Sequence, residues 1–210
     1  MEWLLDFYEA LDVERRARPA VVRELVREPV SRKLVQEWAR RVRESAGEVP
    51  PERDILREHG TTLLAALIAP EFALFLQLGD GDILVTQEDG SVLRGVEPSA
   101  RNFADETESL CSPQAWLSMQ VAAWPPFARE ALVLLATDGY ANSYASTEAF
   151  ERIGPDYLAR VREQGLAQVG TELEAILEET SSLGSGDDIT LGMIHVPPPV
   201  AGAQGAVGSG

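Results

Sequence analysis

The chain has 210 residues, of which 45% are hydrophobic and 25% are charged, a length and composition typical of one globular domain with a substantial core. Its 34 acidic and 18 basic residues give a formal charge of -16, which argues against a nucleic-acid partner because proteins that bind a phosphate backbone carry basic patches. A single cysteine excludes an internal disulfide, and no apolar run approaches the ~20 residues of a membrane-spanning helix, so we expect a cytoplasmic protein without a membrane partner.

The first part of the chain has helical patterns. Apolar residues spaced at i, i+3 and i+4 predict an amphipathic helix over Glu2–Leu11. Pro19 opens a second predicted helix that Pro29 interrupts, and Ser31 begins a third. The arginines of these helices alternate with acidic residues, so we interpret them as a solvated surface rather than as a basic binding site. Gly47–Glu52 is the predicted connection to the next region.

Residues 59–93 predict a β-meander, a series of strands joined by tight turns. Its four extended runs are Thr61–Ala69, Phe72–Leu78, Ile83–Gln87 and Ser91–Leu93. The first two runs are almost wholly apolar, which predicts a hairpin of strands that are buried on both faces. Residues of Gly79–Asp82 tolerate positive φ or bond their own backbone, so this stretch predicts a turn that places Asp80 and Asp82 together at one edge of the sheet.

The remaining chain alternates irregular, extended and helical patterns. Glu97–Arg129 is irregular, with at most a short helix or strand. The further predicted elements are a strand at Ala131–Ala136, helices at Thr147–Ile153, Pro155–Glu163 and Leu166–Thr180, a flexible linker at Ser181–Gly186 and a strand at Ile189–Val196. Residues 197–210 are a Pro/Gly/Ala tail that cannot form a core, and we expect them to be disordered.

Three aspartates stand at the ends of predicted strands. Asp80 follows the run Phe72–Leu78, Asp138 follows Ala131–Ala136, and Asp187 precedes the last strand. An antiparallel arrangement of the last strand brings all three to one edge of the fold. Clustered carboxylates repel each other, and a hard divalent cation such as Mg²⁺ or Mn²⁺ compensates them. Asp and Gly are also common in ordinary turns, so a purely structural role is the alternative.

Other catalytic chemistries find little support in the sequence. Ser185 lacks the G-x-S-x-G spacing of a nucleophile elbow and lies in the predicted linker. His59 and His195 have no metal-ligand spacing, and we interpret both as structural or exposed.

The order of four short motifs resembles that of PPM-type (type 2C) metal-dependent protein phosphatases, and in particular of their bacterial branch. The motifs are Gly60-Thr61-Thr62, Gly79-Asp80-Gly81, Leu135-Ala136-Thr137-Asp138-Gly139 and Asp187-Asp188-Ile189-Thr190. Asn102–Leu110 also resembles a segment that this branch places between its central hairpins. Each motif alone arises easily by chance, and their shared order over about residues 20 to 196 makes the resemblance specific.

This resemblance implies an α+β fold for residues 1–196, a four-layer α-β-β-α sandwich in which helices flank two antiparallel sheets. It implies two divalent ions, Mn²⁺ or Mg²⁺, at one end of the sandwich. Asp138 and Asp187 would be ligands and catalytic residues, and Asp80 would help to hold the third ion of bacterial members. The implied reaction is hydrolysis of phosphomonoesters by a metal-activated water. A phosphorylated protein substrate or a kinase is the implied partner.

The sequence departs from the family pattern at its beginning. Family members start with two further strands that carry an acidic residue and an Asp-Gly motif, whose aspartate bridges the two metals, and this sequence has neither. The resemblance therefore implies an N-terminally incomplete sandwich. Two interpretations fit: a truncated, noncatalytic relative that serves as a regulatory or binding module, or a fragment with a misplaced start. In both cases we expect little turnover by this chain alone.

Overall fold

Two antiparallel β-sheets form the middle of the protein in a computed structural model that describes residues 2–47, 54–97 and 108–198. The strands of the described residues are β1 (Leu63–Ile68), β2 (Ala73–Leu78), β3 (Asp82–Gln87), β4 (Val92–Arg94), β5 (Gln120–Trp124), β6 (Ala131–Ala136) and β7 (Leu191–Val196). The first sheet has the order β1-β2-β5, and the second has the order β4-β3-β6-β7. The fold is therefore organised as two sheets rather than one.

Helices precede the first strand and lie between later strands of the chain. They are α1 (Glu2–Ala10), α2 (Val13–Arg16), α3 (Pro19–Leu25), α4 (Ser31–Ala46), α5 (Ile55–Glu58), α6 (Ala115–Ser118), α7 (Asp138–Ala141), α8 (Thr147–Glu151), α9 (Ile153–Gln164) and α10 (Leu166–Leu183). A π-helical turn, Val26–Val30, joins α3 to α4. None of the described helices is long and apolar enough to cross a membrane.

The side chains of the two sheets divide the core into three apolar layers. Between the sheets, Phe75 of β2 packs with Val85 of β3 and Val133 of β6. Because successive strand residues point to opposite faces, Leu74 and Leu76 instead face a helical layer. The corresponding outer face of the second sheet packs against α9 and α10. The implied four-layer α-β-β-α sandwich is thus confirmed.

The prediction of one continuous meander is wrong. β1 and β2 form the predicted antiparallel hairpin, and β3 and β4 form a second hairpin, but the two hairpins belong to different sheets. The chain crosses between the sheets at the turn Gly79–Gly81. Gly79 has a φ of +96°, and a Cβ on it would lie 2.3 Å from Thr62 Cγ2, so glycine is required for this crossing.

Burial on both faces is confirmed for β2 and wrong for β1. All six residues of β2 are buried, whereas all six residues of β1 are only half-buried. The physical reason is the position of the strands, since β2 lies between β1 and β5 while β1 lies at the edge of the described sheet.

Most predicted helices are confirmed, with two corrections. Pro29 lies inside the π-helical turn and interrupts the α-helical hydrogen bonding without ending the helical path. The Ser31 amide donates to the Val26 carbonyl across the turn, and the Ser31 hydroxyl donates to the same carbonyl. The predicted linker Ser181–Gly186 begins as the last residues of α10. Within Glu97–Arg129 the described residues contain α6 and β5, in agreement with the expected short helix or strand.

Several predictions concern residues outside the described ranges. They are most of the connection Gly47–Glu52, the phosphatase-like segment Asn102–Leu110 up to residue 107, and the tail from residue 199. These predictions stay as they were made from the sequence.

Glu130 forms an ionic network at the end of the second sheet where β6 begins and β7 ends. Its Oε2 accepts a hydrogen bond of 2.7 Å from Arg162 Nε, and its Oε1 lies 2.9 Å from His195 Nε2. Arg162 holds the pKa of Glu130 below its ordinary value of 4.5, burial opposes this shift, and His195 adds to it. His195 therefore has a structural partner, as the sequence interpretation expected.

Replacing Glu130 with glutamine should lower the free energy of unfolding at pH 7 by about 1–2 kcal/mol, because charged hydrogen bonds to a buried group are lost. Since the pKa of Glu130 is depressed in the folded state, its ionised form stabilises the fold above pH ~4.5, and this contribution disappears as the pH falls through the folded-state pKa. Thermal melts of both proteins between pH 3 and pH 8 should show a difference that shrinks on the acid side. The exposed Glu163→Gln is the control, and a pH-independent difference would contradict this account.

Candidate functional site

The strand register brings the three aspartates to one end of the second sheet. Asp82, the first residue of β3, pairs with Ala136, the last residue of β6, and Ala136 pairs with Leu191, the first residue of β7. Asp138 lies two residues after Ala136, beyond these three paired residues. Asp80 comes shortly before the start of β3, and Asp187 comes shortly before the start of β7. The structure thus places all three predicted site residues beyond the same ends of neighbouring strands.

Asp138 occupies the start of the short helix α7, directly after β6. Its Oδ1 accepts a hydrogen bond of 2.9 Å from the Gly139 amide, and its Oδ2 lies 3.4 Å from Asn142 Nδ2. The preceding residue, Thr137, forms two hydrogen bonds with Thr190, which directly precedes β7. The Thr137 amide donates to the Thr190 carbonyl, and Thr137 Oγ1 accepts from the Thr190 amide. These contacts fix the position of the Asp138 backbone.

Asp187 lies against the same turn because Gly139 has no side chain. A Cβ on Gly139 would lie 2.6 Å from the Asp188 carbonyl oxygen and 3.3 Å from Asp187 Cβ. Asp187 is exposed, and its Oδ1 accepts a hydrogen bond of 2.8 Å from the Asp188 amide. The two predicted ligands, Asp138 and Asp187, therefore stand on backbone segments in direct contact.

Ser185 positions this second segment, a role that the sequence analysis missed by treating it as part of a linker. Its Oγ donates to the Gly139 carbonyl at 3.0 Å, lies 3.0 Å from Ser143 Oγ, and accepts from the Asp187 amide at 3.2 Å. The Ser181 hydroxyl also donates to the Asp187 carbonyl at 2.6 Å. Ser185, which follows Gly184, thus connects the segment after α10 to the turn that carries Asp138.

Arg94 is a cation at the acidic edge that the sequence analysis also missed. It donates to Asp82 Oδ1 and, at 3.2 Å, to Glu151 Oε1. Burial raises the pKa of Asp82, Arg94 opposes that shift, and the charges of Asp138 and Asp80 raise it further. The strand register places Asp80, Asp82 and Asp138 at one edge, and the direction of these charge effects agrees with that placement.

Gln77 holds the turn that carries Asp80. Its side chain is buried at the end of β2, and its Nε2 donates to the Gly81 carbonyl and approaches the Gly79 carbonyl at 3.5 Å. These bonds satisfy carbonyl groups of the crossing between the two sheets. Gln77 is therefore a positioning residue for the Asp80 turn.

The described residues do not complete a metal site. No three His, Cys, Asp or Glu side chains among them are arranged to hold one ion. Asp138 and Asp187 each have an oxygen engaged by a neighbouring backbone amide, and Asp82 is paired with Arg94. Two carboxylates supply fewer ligands than a divalent cation takes from most protein sites, so these residues alone fit the implied dimetal centre poorly.

An open pocket of about 420 Å³ lies beside Asp187 and is strongly acidic. Its lining includes the carboxylates of Glu174, Glu178, Asp187 and Asp188 together with Leu177 and Ile189, and none of its described lining residues is basic. A phosphate dianion would be repelled there unless a cation were present. The acidic lining is therefore better suited to a cation than to an unaccompanied anion.

Comparison with known proteins gives one family and several related structures. A family model described as protein phosphatase 2C matches residues 8–178. No curated protein sequence gives a significant match.

Three solved structures illustrate the structural relatives. The phosphatase domain of the cell fate determinant SpoIIE from Bacillus subtilis, presoaked with manganese, has 16% identity and a TM-score of 0.43, covering 67% of this chain and 58% of the domain. PppA, a regulatory component of T6SS in Pseudomonas aeruginosa, has 18% identity and a TM-score of 0.44, covering 90% of this chain and 78% of that chain.

The third is the catalytic domain of the serine/threonine phosphatase PstP with two manganese ions, with 12% identity and a TM-score of 0.43, covering 79% of this chain and 80% of that domain. This chain thus spans less than two thirds of the SpoIIE domain, while it spans more of the other two.

Proposed function

Because the chain belongs to the protein phosphatase 2C family, we propose that it works in the dephosphorylation of phosphoproteins as a metal-dependent Ser/Thr phosphatase module. Asp138 and Asp187 are the proposed catalytic metal ligands, and Asp80 is a further proposed ligand, for Mn²⁺ or Mg²⁺. The single observation that supports this assignment most is the packing of Gly139 against Asp188, which places two acidic motifs of the family side by side. The partner would be a phosphorylated protein or a kinase.

The chain's own residues hold these carboxylates in place without completing the site. Thr137 and Thr190 bond the two segments, Ser185 fixes the Asp187 backbone, and Gln77 fixes the Asp80 turn. Among the described residues, no three His, Cys, Asp or Glu side chains are arranged to hold one ion. We propose that turnover by the 210-residue chain alone is low.

A noncatalytic regulatory or binding module is the second candidate. The observation that favours it is the pairing of Asp82 with Arg94, which neutralises one carboxylate of the edge with an internal cation. A module of this kind would keep the sandwich to bind a phosphoprotein or another partner, with no turnover.

Hydrolysis of p-nitrophenyl phosphate with Mn²⁺ tests both candidates. For the 210-residue chain we expect a rate within a few-fold of background, and a small heat of Mn²⁺ binding that Asp138→Asn and Asp187→Asn abolish. The exposed Asp156→Asn is the matched control and should bind Mn²⁺ like the unmodified chain.

The outcomes separate the candidates clearly. Weak metal-dependent hydrolysis that both substitutions abolish supports the phosphatase module. Binding of a phosphoserine peptide without turnover or Mn²⁺ heat supports the noncatalytic module. Equal Mn²⁺ binding by the unmodified chain and Asp138→Asn would remove Asp138 from the site, and robust turnover by the unmodified chain would show that another acid, such as Asp82, completes it.

A further inference from the structure

The short helix α7, which begins with Asp138, is anchored in the core by a buried tyrosine. α7 has four residues, about one helical turn, and so short a helix is not stable on its own in water. The Asn142 amide closes the turn by donating to the Asp138 carbonyl at 2.8 Å. Tyr140, the third residue of α7, is 1% exposed and packs in the apolar layer between the second sheet and the helices α9 and α10. The position of α7 therefore depends on contacts that its side chains make.

Asp138 and Tyr140 lie on opposite sides of α7. Residues two apart in an α-helix are rotated by about 200° around the helix axis. In agreement with this geometry, Asp138 is partly exposed at the acidic edge, while Tyr140 is buried in the core. A contact that fixes the Tyr140 side chain thus also fixes the direction in which α7 presents Asp138.

Tyr140 is joined to Tyr157 of α9 by a hydrogen bond between the two phenol groups. Their hydroxyl oxygens are 2.9 Å apart, and both side chains are buried. The Tyr140 ring also packs edge-on against Phe150 of α8, with 5.8 Å between the ring centroids. Ring packing alone tolerates small rotations, whereas a hydrogen bond requires a defined direction. The phenol pair therefore fixes the orientation of the Tyr140 side chain.

Helix α9 is a firm support for this anchor because it packs closely against the second sheet. Gly154 lies one turn before Tyr157, and a Cβ on Gly154 would lie 2.2 Å from Thr86 Oγ1 of β3. Leu158 and Val161 of the same helix are buried in the layer that covers this sheet. A group held by a well-packed element keeps its partner within a narrow range of positions. Tyr157 thus connects α7 to a part of the fold that does not depend on the acidic edge.

Stability alone does not explain two hydroxyl groups in this apolar layer. Their neighbours include Leu134 and Phe150, and phenylalanine in place of either tyrosine would fill the same space with its ring. Burying a hydroxyl costs free energy that its hydrogen bond recovers with only a modest surplus. A satisfied pair of buried polar groups does, however, specify one arrangement of the elements that carry it. The hydroxyl pair is therefore best explained by the alignment of α7 with α9.

We propose that Tyr157 is a positioning residue for Asp138 and acts through Tyr140. The Tyr157 hydroxyl holds the Tyr140 side chain, and Tyr140 holds α7 in the orientation that presents the Asp138 carboxylate at the acidic edge. Loss of this hydrogen bond would let the single turn of α7 rotate and move the carboxylate away from the Asp187 segment. The functional meaning of the inference rests on the proposed role of Asp138 as a metal ligand.

The variant Tyr157→Phe removes the hydroxyl and keeps the ring. Amide hydrogen exchange, followed by NMR on the full chain, reports on α7 because the Gly139 amide donates to Asp138 Oδ1 and the Asn142 amide donates to the Asp138 carbonyl. Both amides should exchange about tenfold faster in the variant, since the turn opens locally. Mn²⁺ affinity, measured from the paramagnetic resonance signal of the free ion, should fall by about tenfold, as is usual when a group that orients a ligand is removed.

The double variant Tyr140→Phe with Tyr157→Phe separates positioning from stability. Replacing both hydrogen-bonding partners with apolar groups of the same shape is nearly neutral for stability, so the thermal midpoint should return to that of the unmodified chain. Amide exchange in α7 and Mn²⁺ affinity should stay impaired, because the directional bond is still missing. The control is Tyr8→Phe, which loses a hydrogen bond of 2.9 Å to Glu71 in the other helical layer and should change exchange in α7 by less than about twofold. If Tyr157→Phe alone does not fold, the double variant still provides the test.

Three results would overturn the inference. Recovery of both the midpoint and slow exchange in the double variant would show that the tyrosines only fill the core. Equal acceleration by Tyr157→Phe and Tyr8→Phe would show general destabilisation. Faster exchange with unchanged Asp138-dependent Mn²⁺ affinity would show that the tether does not position the ligand. Mn²⁺ binding that does not depend on Asp138 would instead remove the proposed metal role of Asp138, and the exchange rates would still decide whether Tyr157 holds α7.

Discussion

Replacing Gly139 with alanine is expected to lower the thermal midpoint by about 5–10 °C. The new methyl group would lie 2.6 Å from the Asp188 carbonyl oxygen, well inside van der Waals contact, and the clashing atom belongs to the backbone. The two segments cannot separate freely because Thr137 and Thr190 join them by two hydrogen bonds. Overpacking of this kind costs about 2–3 kcal/mol, and each kcal/mol shifts the midpoint of a domain this size by about 2–4 °C.

Gly170→Ala is the matched control for this prediction. Gly170 lies inside α10, and a Cβ added there meets no atom within 4 Å. Alanine in a helix interior is more favourable than glycine by about 0.5–1 kcal/mol, so the midpoint should rise slightly. An unchanged midpoint for Gly139→Ala in calorimetric or circular-dichroism melts would show that the Asp138 and Asp187 segments are not in tight contact.

The strands could be found from the sequence because they are continuous apolar runs, but their distribution between sheets could not. β2 and β3 are both buried on their two faces, so neither shows the alternation that would reveal which sheet it joins. A turn such as Gly79–Gly81 serves equally well for a hairpin and for a crossing between packed sheets. The pairing of β3 with β6 rather than with β2, which decides between them, is a tertiary contact.

The aspartates of the candidate site could be found because each stands at a strand end, whereas the residues that position them are less visible. Gln77 had a local signal, since it is a polar residue inside the otherwise apolar strand β2. Ser185 had none, because a serine between glycines has the same composition as a flexible linker. Its role depends on the return of α10 to Ser143, a residue 42 positions earlier.

Arg94 could have been found from the register of the β3–β4 hairpin. It pairs with Leu84, so Asp82 is its diagonal neighbour on the adjacent strand, within reach of a long side chain. The sequence analysis considered acidic residues alone at this edge and thereby missed the internal cation. This pair carries the second prediction.

Replacing Arg94 with methionine should destabilise the protein by about 3 kcal/mol, equivalent to about 6–12 °C in the thermal midpoint. Methionine preserves much of the side-chain volume but leaves Asp82, whose side chain is 13% exposed, without its cation. The charges of Asp138 and Asp80 lie close enough to affect Asp82, so the remaining carboxylates repel one another. The cost should stay below that of a fully buried ion pair because Arg94 is 28% exposed.

The double variant Arg94→Met with Asp82→Asn separates this electrostatic effect from lost packing. Removing the uncompensated charge should restore most of the midpoint, because breaking a partly buried ion pair costs mainly through the charge that is left behind. Arg160→Met is the control, since Arg160 is about half exposed and lies 3.9 Å from Glu172, and it should change the free energy of unfolding by less than about 0.5 kcal/mol. If the double variant were as unstable as Arg94→Met alone, Arg94 would act through its packing against β3 and α8 rather than as the countercharge of the acidic edge.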